Sequence, residues 1–335
     1  MEVLLKKGHM SENNAYIVYF FQNNVLFRKR SLKSTAETFT MKQICFKKGI
    51  NSIAQQHYKR LEIVSLEFDI LYTIKLVIIG LVQGFTEPIP VSSSGHVMIA
   101  SEILGVGEQG FTFAILTNTA SLVAILIIYR KDIIRLITGF FKYIQTRERR
   151  YKSDFNFALC VIIASIPAGV LGVVLSDVIA ESVSMNVIAL MLLVTGIALW
   201  LIRNLKGTKA DKDITKKDAI LVGLGQAVAL TPGISRSGAT VISAIATGMR
   251  QDTALRFSFM MYIPVSFGGV VLGFTDFLNE PNKGDLAIPY IAAFIATFVM
   301  TYFAMKWFMG IMQKGKLHFF TYYCFIVAAL LFIFL

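Results

Sequence analysis

Two short stretches of this chain combine residues that rarely share an apolar sequence. The first, Gln83-Gly84-Phe85-Thr86-Glu87-Pro88-Ile89-Pro90-Val91-Ser92-Ser93-Ser94-Gly95-His96, supplies a carboxylate, three consecutive serines and an imidazole. The second, Thr231-Pro232-Gly233-Ile234-Ser235-Arg236-Ser237-Gly238-Ala239-Thr240, supplies hydroxyls and a guanidinium. Each leads through proline, serine and glycine into a new apolar run, so hydroxyls and free backbone N–H groups gather at a helix N-terminus, which is an anion site. Taken singly, the residues have plainer readings: Glu87 as an interface marker, His96 as a core histidine, the serines as helix caps. Arg236 resists such a reading, because an arginine inside a broken apolar segment is costly and needs a partner.

Together the residues fit phosphoryl transfer, which asks for charge stabilisation on phosphate oxygens and a positioned nucleophile. Arg236 can grip a phosphate bidentately, assisted by Ser92, Ser94, Ser235, Ser237, Thr240 and the helix-terminal N–H groups. Glu87 has the chemistry of a base or of a cation ligand, and His96 that of a base, a leaving-group acid or a transient phosphoryl acceptor. Ser93 competes as nucleophile, and at this level Ser93, His96 and a metal-activated water stand unranked.

These residues must be held by membrane helices. Apolar runs of spanning length occur at about 68–86, 111–130, 155–177, 185–203, 253–276, 287–306 and 319–335. The segments 87–105 and 218–250 are also apolar, but Pro88, Pro90 and Pro232 prevent either from being one continuous helix. Both read as re-entrant hairpins. Lys and Arg crowd the connections at 130–152, 203–217 and 306–316, which places those inside. The connections at 105–110, 177–185 and 277–286 carry Glu108, Asp177, Glu181, Glu280 and Asp285 against Lys283, and go outside. The first hairpin then enters from the outer side and the second from the inner side, each followed by three spans, which is an inverted repeat. An ungapped comparison of 80–99 with 223–242 pairs Gly80 with Gly223, Gln83 with Gln226, Ser92 with Ser235, Ser94 with Ser237 and Gly95 with Gly238. It also pairs Glu87 with Leu230 and Ser93 with Arg236, so the copies differ where chemistry needs them to.

Composition agrees with this reading. Of 335 residues, 55% are hydrophobic and 16% charged, with mean hydropathy +0.62, which excludes a disordered chain and most soluble enzymes. The net charge of +12 is no sign of nucleic acid, since the cations lie in clusters between apolar runs. Cys45, Cys160 and Cys324 match no disulfide framework or zinc spacing. Residues 1–65 stand apart, with 11 Lys and Arg against 4 Asp and Glu. They are expected to be either a misassigned start, with initiation at Leu66, or a basic tail on the membrane surface. The chemistry is assigned to residues 66–335, in halves of about 66–203 and 204–335. His318, Lys316, Trp200 and Trp307 read as interfacial, and the Met and Phe residues of 257–274 as packing.

At the two broken segments the sequence resembles the undecaprenyl pyrophosphate phosphatases, also called bacitracin resistance proteins. The likeness covers about 66–335. It rests on an [E/Q]-x-x-x-E pattern at Gln83 to Glu87, on P-V-S-S-S-G-H at Pro90 to His96, and on P-G-x-S-R-S-G-A-T at Pro232 to Thr240. The resemblance implies an all-α, multi-pass enzyme of the bacterial cytoplasmic membrane with its site facing outward. It further implies removal of one phosphate from a C55 isoprenoid pyrophosphate, recycling the lipid carrier of cell-wall synthesis and conferring bacitracin resistance. A divalent cation, Mg²⁺ or Ca²⁺, is implied as well, held by Glu87 and, as an open second ligand, Gln83, where some members carry a second glutamate. The expected partners are that lipid and the bilayer, without nucleic acid, and a homodimer is left open. The rival reading is a lipid-carrier flippase or anion transporter on the same inverted repeat.

Overall fold

The computed structural model describes residues 17–21, 24–28, 70–106, 111–174, 184–279 and 283–334. The chain divides into two compact units, Met1–Ile70 with Asn282–Leu286, and Leu71–Pro281 with Ala287–Leu335. In the first, β1 (Ile17–Phe21) pairs antiparallel with β2 (Asn24–Arg28), Ile17 opposite Arg28 and Phe21 opposite Asn24. This pair is the one departure from the all-α expectation among the described residues. The rest of the leader lies outside them, as do residues 107–110, 175–183 and 280–282 of the outer connections.

The second unit is helical. Its first broken segment is α1 (Ile70–Thr86), a non-helical stretch through the two prolines, and α2 (Ser93–Leu104). Three long helices follow: α3 (Phe111–Thr146), α4 (Lys152–Val174) and α5 (Met185–Ile202). The second broken segment is α6 (Lys216–Val228) and α7 (Arg236–Ala246), and the chain ends with α8 (Gln251–Asn279), α9 (Lys283–Gln313) and α10 (His318–Phe334). Among the described residues five helices are long and apolar enough to cross a membrane, and α1 and α10 are shorter apolar helices. Isoleucine, leucine, valine and phenylalanine lie exposed along them, among them Ile166, Leu201, Ile295 and Phe303. So continuous an apolar exterior suits lipid and not water. The protein is a multi-pass membrane protein.

Inside, the core joins Ile89 and Val91 of the first break to Leu192 of α5, Val241 of α7, Phe257 of α8 and Cys324 of α10. Lipid tails are as apolar as leucine, so these helices associate through close packing and hydrogen bonds. Small residues make that approach feasible. A Cβ on Gly84 would lie 2.5 Å from the Thr297 carbonyl oxygen of α9, and one on Gly80 2.7 Å from that of Ala293. Thr297 then donates its hydroxyl to the Gly80 carbonyl at 2.9 Å. Gly223, the mate of Gly80, meets Ala164 of α4 at 2.5 Å in the same manner.

Candidate active site

Glu87 follows directly on the helical turn that ends α1, where Pro88 and Pro90 stop the helix. Its amide still bonds the Gln83 carbonyl at 2.9 Å, which puts the side chains of residues 83 and 87 on one face. The carboxylate is buried, 7% exposed. Protein side chains hydrogen-bond it. Gln83 Nε2 donates to Oε2 at 2.9 Å, Ser93 Oγ donates to the same oxygen at 2.5 Å, and Arg236 Nη2 reaches Oε1 at 3.3 Å. The sequence-distant pair Glu87 and Arg236 is thus brought together from the two broken segments.

Ser93 reaches Glu87 because the backbone reverses sharply just before it. Ser92 has φ of 68°, a region that a residue with a Cβ enters only when its surroundings force it, and such residues cluster at functional sites. Ser92 is the N-cap of α2, accepting the Gly95 N–H at 3.4 Å, so Ser93 is the first helical residue and its hydroxyl faces back to the break. A hydroxyl in a short bond to a buried carboxylate has nucleophile and base already in contact. Ser94 is exposed, with Oγ 3.5 Å from that of Ser92.

The second break is built alike but occupied differently. Gly233, with φ of 89°, makes its turn, and Ser235 caps α7 by accepting the Gly238 N–H at 3.0 Å. Ser237 donates to the Ile89 carbonyl at 3.0 Å, tying one break to the other. Thr240 donates to the Arg236 carbonyl at 2.9 Å and bonds Ser258 of α8. Of the five hydroxyls expected on phosphate, Ser92 and Ser235 therefore act as caps, Ser237 and Thr240 bond within the protein, and Ser94 remains open. Arg236, first residue of α7, is held by Glu87, by Ser266 of α8, which accepts from Nη1 at 3.0 Å, and by the Tyr262 ring 4.8 Å from its guanidinium carbon.

His96 lies one turn along α2 from Ser93, yet no hydrogen bond among the described residues joins it to Glu87. Its Nδ1 is 2.8 Å from the Ser92 carbonyl, which only accepts, so that nitrogen carries the proton in the neutral ring. Nε2 then accepts the Tyr323 hydroxyl of α10 at 2.7 Å, and the two rings stack with centroids 5.5 Å apart. Tyr323, Tyr262, Ser266 and Thr297 were missed by sequence reasoning. The signal available for Tyr262 and Ser266 was a pair of polar groups four residues apart about Pro264 in an otherwise apolar span.

Gln226, mate of Gln83, is 1% exposed with neither amide atom hydrogen-bonded among the described residues, because Leu230 stands where the first copy has Glu87. For a metal, the donor set is sparse. No group of three His, Cys, Asp or Glu side chains fit to hold an ion occurs among the described residues. Glu87 and the Gln83 carbonyl oxygen suit a hard cation only when other ligands arrive with it, as phosphate oxygens of a substrate do.

Known proteins resemble this chain along most of its length. The family model described as "Bacitracin resistance protein BacA" matches residues 76–330, which include both broken segments. The chain is 54% identical over 265 residues to undecaprenyl-diphosphatase 1 of Bacillus cereus, covering 79% of this chain and 98% of that protein. It is 50% identical over 268 residues to undecaprenyl-diphosphatase 1 of Bacillus licheniformis, with 79% and 99% covered. A further relative is the undecaprenyl-diphosphatase of Oceanobacillus iheyensis, 51% identical over 261 residues, with 77% and 95% covered. With the site motifs, the helical body and these identities in agreement, the chain belongs to the bacitracin resistance protein BacA family.

Proposed function

We propose that this chain hydrolyses undecaprenyl pyrophosphate to undecaprenyl phosphate and inorganic phosphate, with Ser93 as nucleophile, Glu87 as its base and Arg236 as the phosphate clamp. The observation that carries the assignment is the 2.5 Å hydrogen bond from Ser93 to the Glu87 carboxylate, with Arg236 on the same carboxylate. The name shared by the relatives supplies the lipid pyrophosphate. Ser93 Oγ attacks the terminal phosphorus as Glu87 takes its proton, and the bond from that phosphorus to the bridging oxygen breaks. Undecaprenyl phosphate departs, leaving a phosphoserine. Glu87 passes the Ser93 proton to the departing lipid phosphate; water, deprotonated by the freed carboxylate, then attacks the phosphoserine, and that proton returns to the departing Ser93 oxygen as inorganic phosphate is released. Arg236 and the first N–H groups of α2 and α7 neutralise charge on the transferring group. A divalent cation at Glu87 and Gln83 supplies further neutralisation of the pyrophosphate when bound. His96, between the Ser92 carbonyl and Tyr323, fixes the backbone next to the nucleophile.

This reading includes the finer architecture. The two broken segments are re-entrant hairpins of an inverted repeat, residues 66–335 form the enzyme, and the site opens to the outer face of the cytoplasmic membrane. The repeat supports this through the paired glycines and serines, and the orientation through the basic loops. The test is a rapid quench of the purified protein with a short-chain isoprenoid pyrophosphate, followed by peptide mass spectrometry. Phosphate on Ser93 is expected, at higher occupancy early in turnover; substrate turned over with Ser93 unmodified at every time point would instead indicate direct attack by water.

A further inference from the structure

An arginine at membrane depth needs its charge and its five N–H donors accounted for. Among the described residues, one of the groups holding the Arg236 side chain, Glu87, belongs to a broken segment. The other two, Tyr262 and Ser266, lie on α8, outside both motifs, and are 6% and 7% exposed. They are four residues apart about Pro264, so they share one face of that helix. Ser266 takes Nη1 end-on at 3.0 Å while the Tyr262 ring lies against the guanidinium, and the Tyr262 hydroxyl reaches the Asn118 carbonyl of α3 at 3.4 Å. In the ungapped register that pairs Arg236 with Ser93, Tyr262 and Ser266 fall opposite Thr119 and Val123. The half that carries the guanidinium is therefore also the half that carries its two α8 partners.

We propose that Tyr262 and Ser266 are positioning residues that form a cradle for Arg236, holding the plane of its fork while Nη2 transfers from Glu87 to a substrate phosphate oxygen. The proposal rests on the phosphatase reading and adds to it the origin of the clamp's precision. Glu87 cannot serve Ser93 as a base while it is also the main partner of a guanidinium, so the arginine must have support that does not depend on the carboxylate. Ser266 provides this at one nitrogen and the Tyr262 ring provides it across the plane. The fork then pivots through a short arc and meets the phosphate without having to be ordered at that moment.

The test is a double-mutant cycle on the full-length protein in detergent, following phosphate release from a short-chain isoprenoid pyrophosphate. Ser266→Ala and Tyr262→Leu are each expected to lower kcat/KM about tenfold, the scale of one hydrogen bond to a charged group or one desolvated cation–ring contact. Ser266→Thr, which keeps the hydroxyl, and Tyr262→Phe, which keeps the ring, should stay within about threefold of the parent. In an Arg236→Ala background, measured by single turnover with enzyme in excess, the Ser266→Ala and Tyr262→Leu losses should vanish. Losses of undiminished size in that background would overturn the cradle while leaving the phosphatase reading standing, as would full activity in both single variants. A near-normal rate for Arg236→Ala alone would remove the clamp from the phosphatase reading and the cradle with it.

Discussion

Ser93, Glu87 and Arg236 form a chain of contacts in which each group limits the next. The carboxylate is buried and accepts from Gln83, Ser93 and Arg236, and removing one partner of such a buried pair costs about 3–5 kcal/mol. Glu87→Gln and Ser93→Ala are each expected to slow phosphate release by roughly two to three orders of magnitude, the equivalent of about 3–4 kcal/mol of transition-state stabilisation. Arg236→Lys keeps the charge but loses the planar fork, and should raise KM and lower kcat together. A steady-state assay on the purified variants, with circular dichroism to verify folding, checks all three. The duplicated position gives an internal control. Gln226 is buried with both amide atoms unbonded, so Gln226→Leu removes a desolvation cost and should leave turnover within about twofold and thermal unfolding unchanged or raised. Gln83→Leu, by contrast, strips a donor from Glu87 and should reduce turnover, which would distinguish the first broken segment from the second.

At the scale of elements, the site depends on helices α1 and α7 ending and starting at one place, and glycines set how closely their neighbours approach. Gly84→Val would drive a side chain into the Thr297 carbonyl of α9, which sits 2.5 Å from the position of a Cβ. The variant is expected to lose several degrees of thermal stability in detergent, and most of its activity with it, whereas Gly268→Val, with open space around it, should be tolerated. Much of this arrangement was legible in the sequence. Pro88, Pro90 and Pro232 mark both breaks, and α2 and α7 start at Ser93 and Arg236, directly after serines able to cap them. The span limits were less legible. The apolar run 111–130 predicts one crossing, but α3 continues to Thr146 because Arg130, Lys131 and Asp132 end the hydrophobic stretch without breaking the helix. Arg135 there pairs with Asp132, Asp154 and Asp211, and Phe140 stacks on Phe155, contacts that tie the continuation to its neighbours. The partners of Arg236 and His96 were not legible, since Tyr262, Ser266 and Tyr323 sit in apolar helices that reach the site only through packing. His96 shares a segment with Glu87 in the sequence, and the turn of α2 directs its Nε2 to Tyr323.

Across the whole molecule, the proposed orientation bears on the proposed activity. In that orientation the basic connections at 130–152, 203–217 and 306–316 lie inside and the broken segment carrying Glu87 opens outward. With native cysteines replaced, an impermeant thiol reagent applied to intact cells should label a cysteine placed at Asn282 and spare one placed at Thr208, and the opposite pattern would reverse the membrane orientation. Orientation leaves the activity itself to be measured, because an inverted repeat serves a transporter as readily as an enzyme. A transporter needs two compartments, whereas a phosphatase does not. The most direct measurement is therefore release of inorganic phosphate from an isoprenoid pyrophosphate by the purified chain in detergent, with and without a chelator of divalent cations. Multiple turnovers are expected in this single compartment, lost on Ser93→Ala; a folded protein that binds the lipid pyrophosphate yet releases no phosphate, with or without Mg²⁺ or Ca²⁺, would rule out the phosphatase.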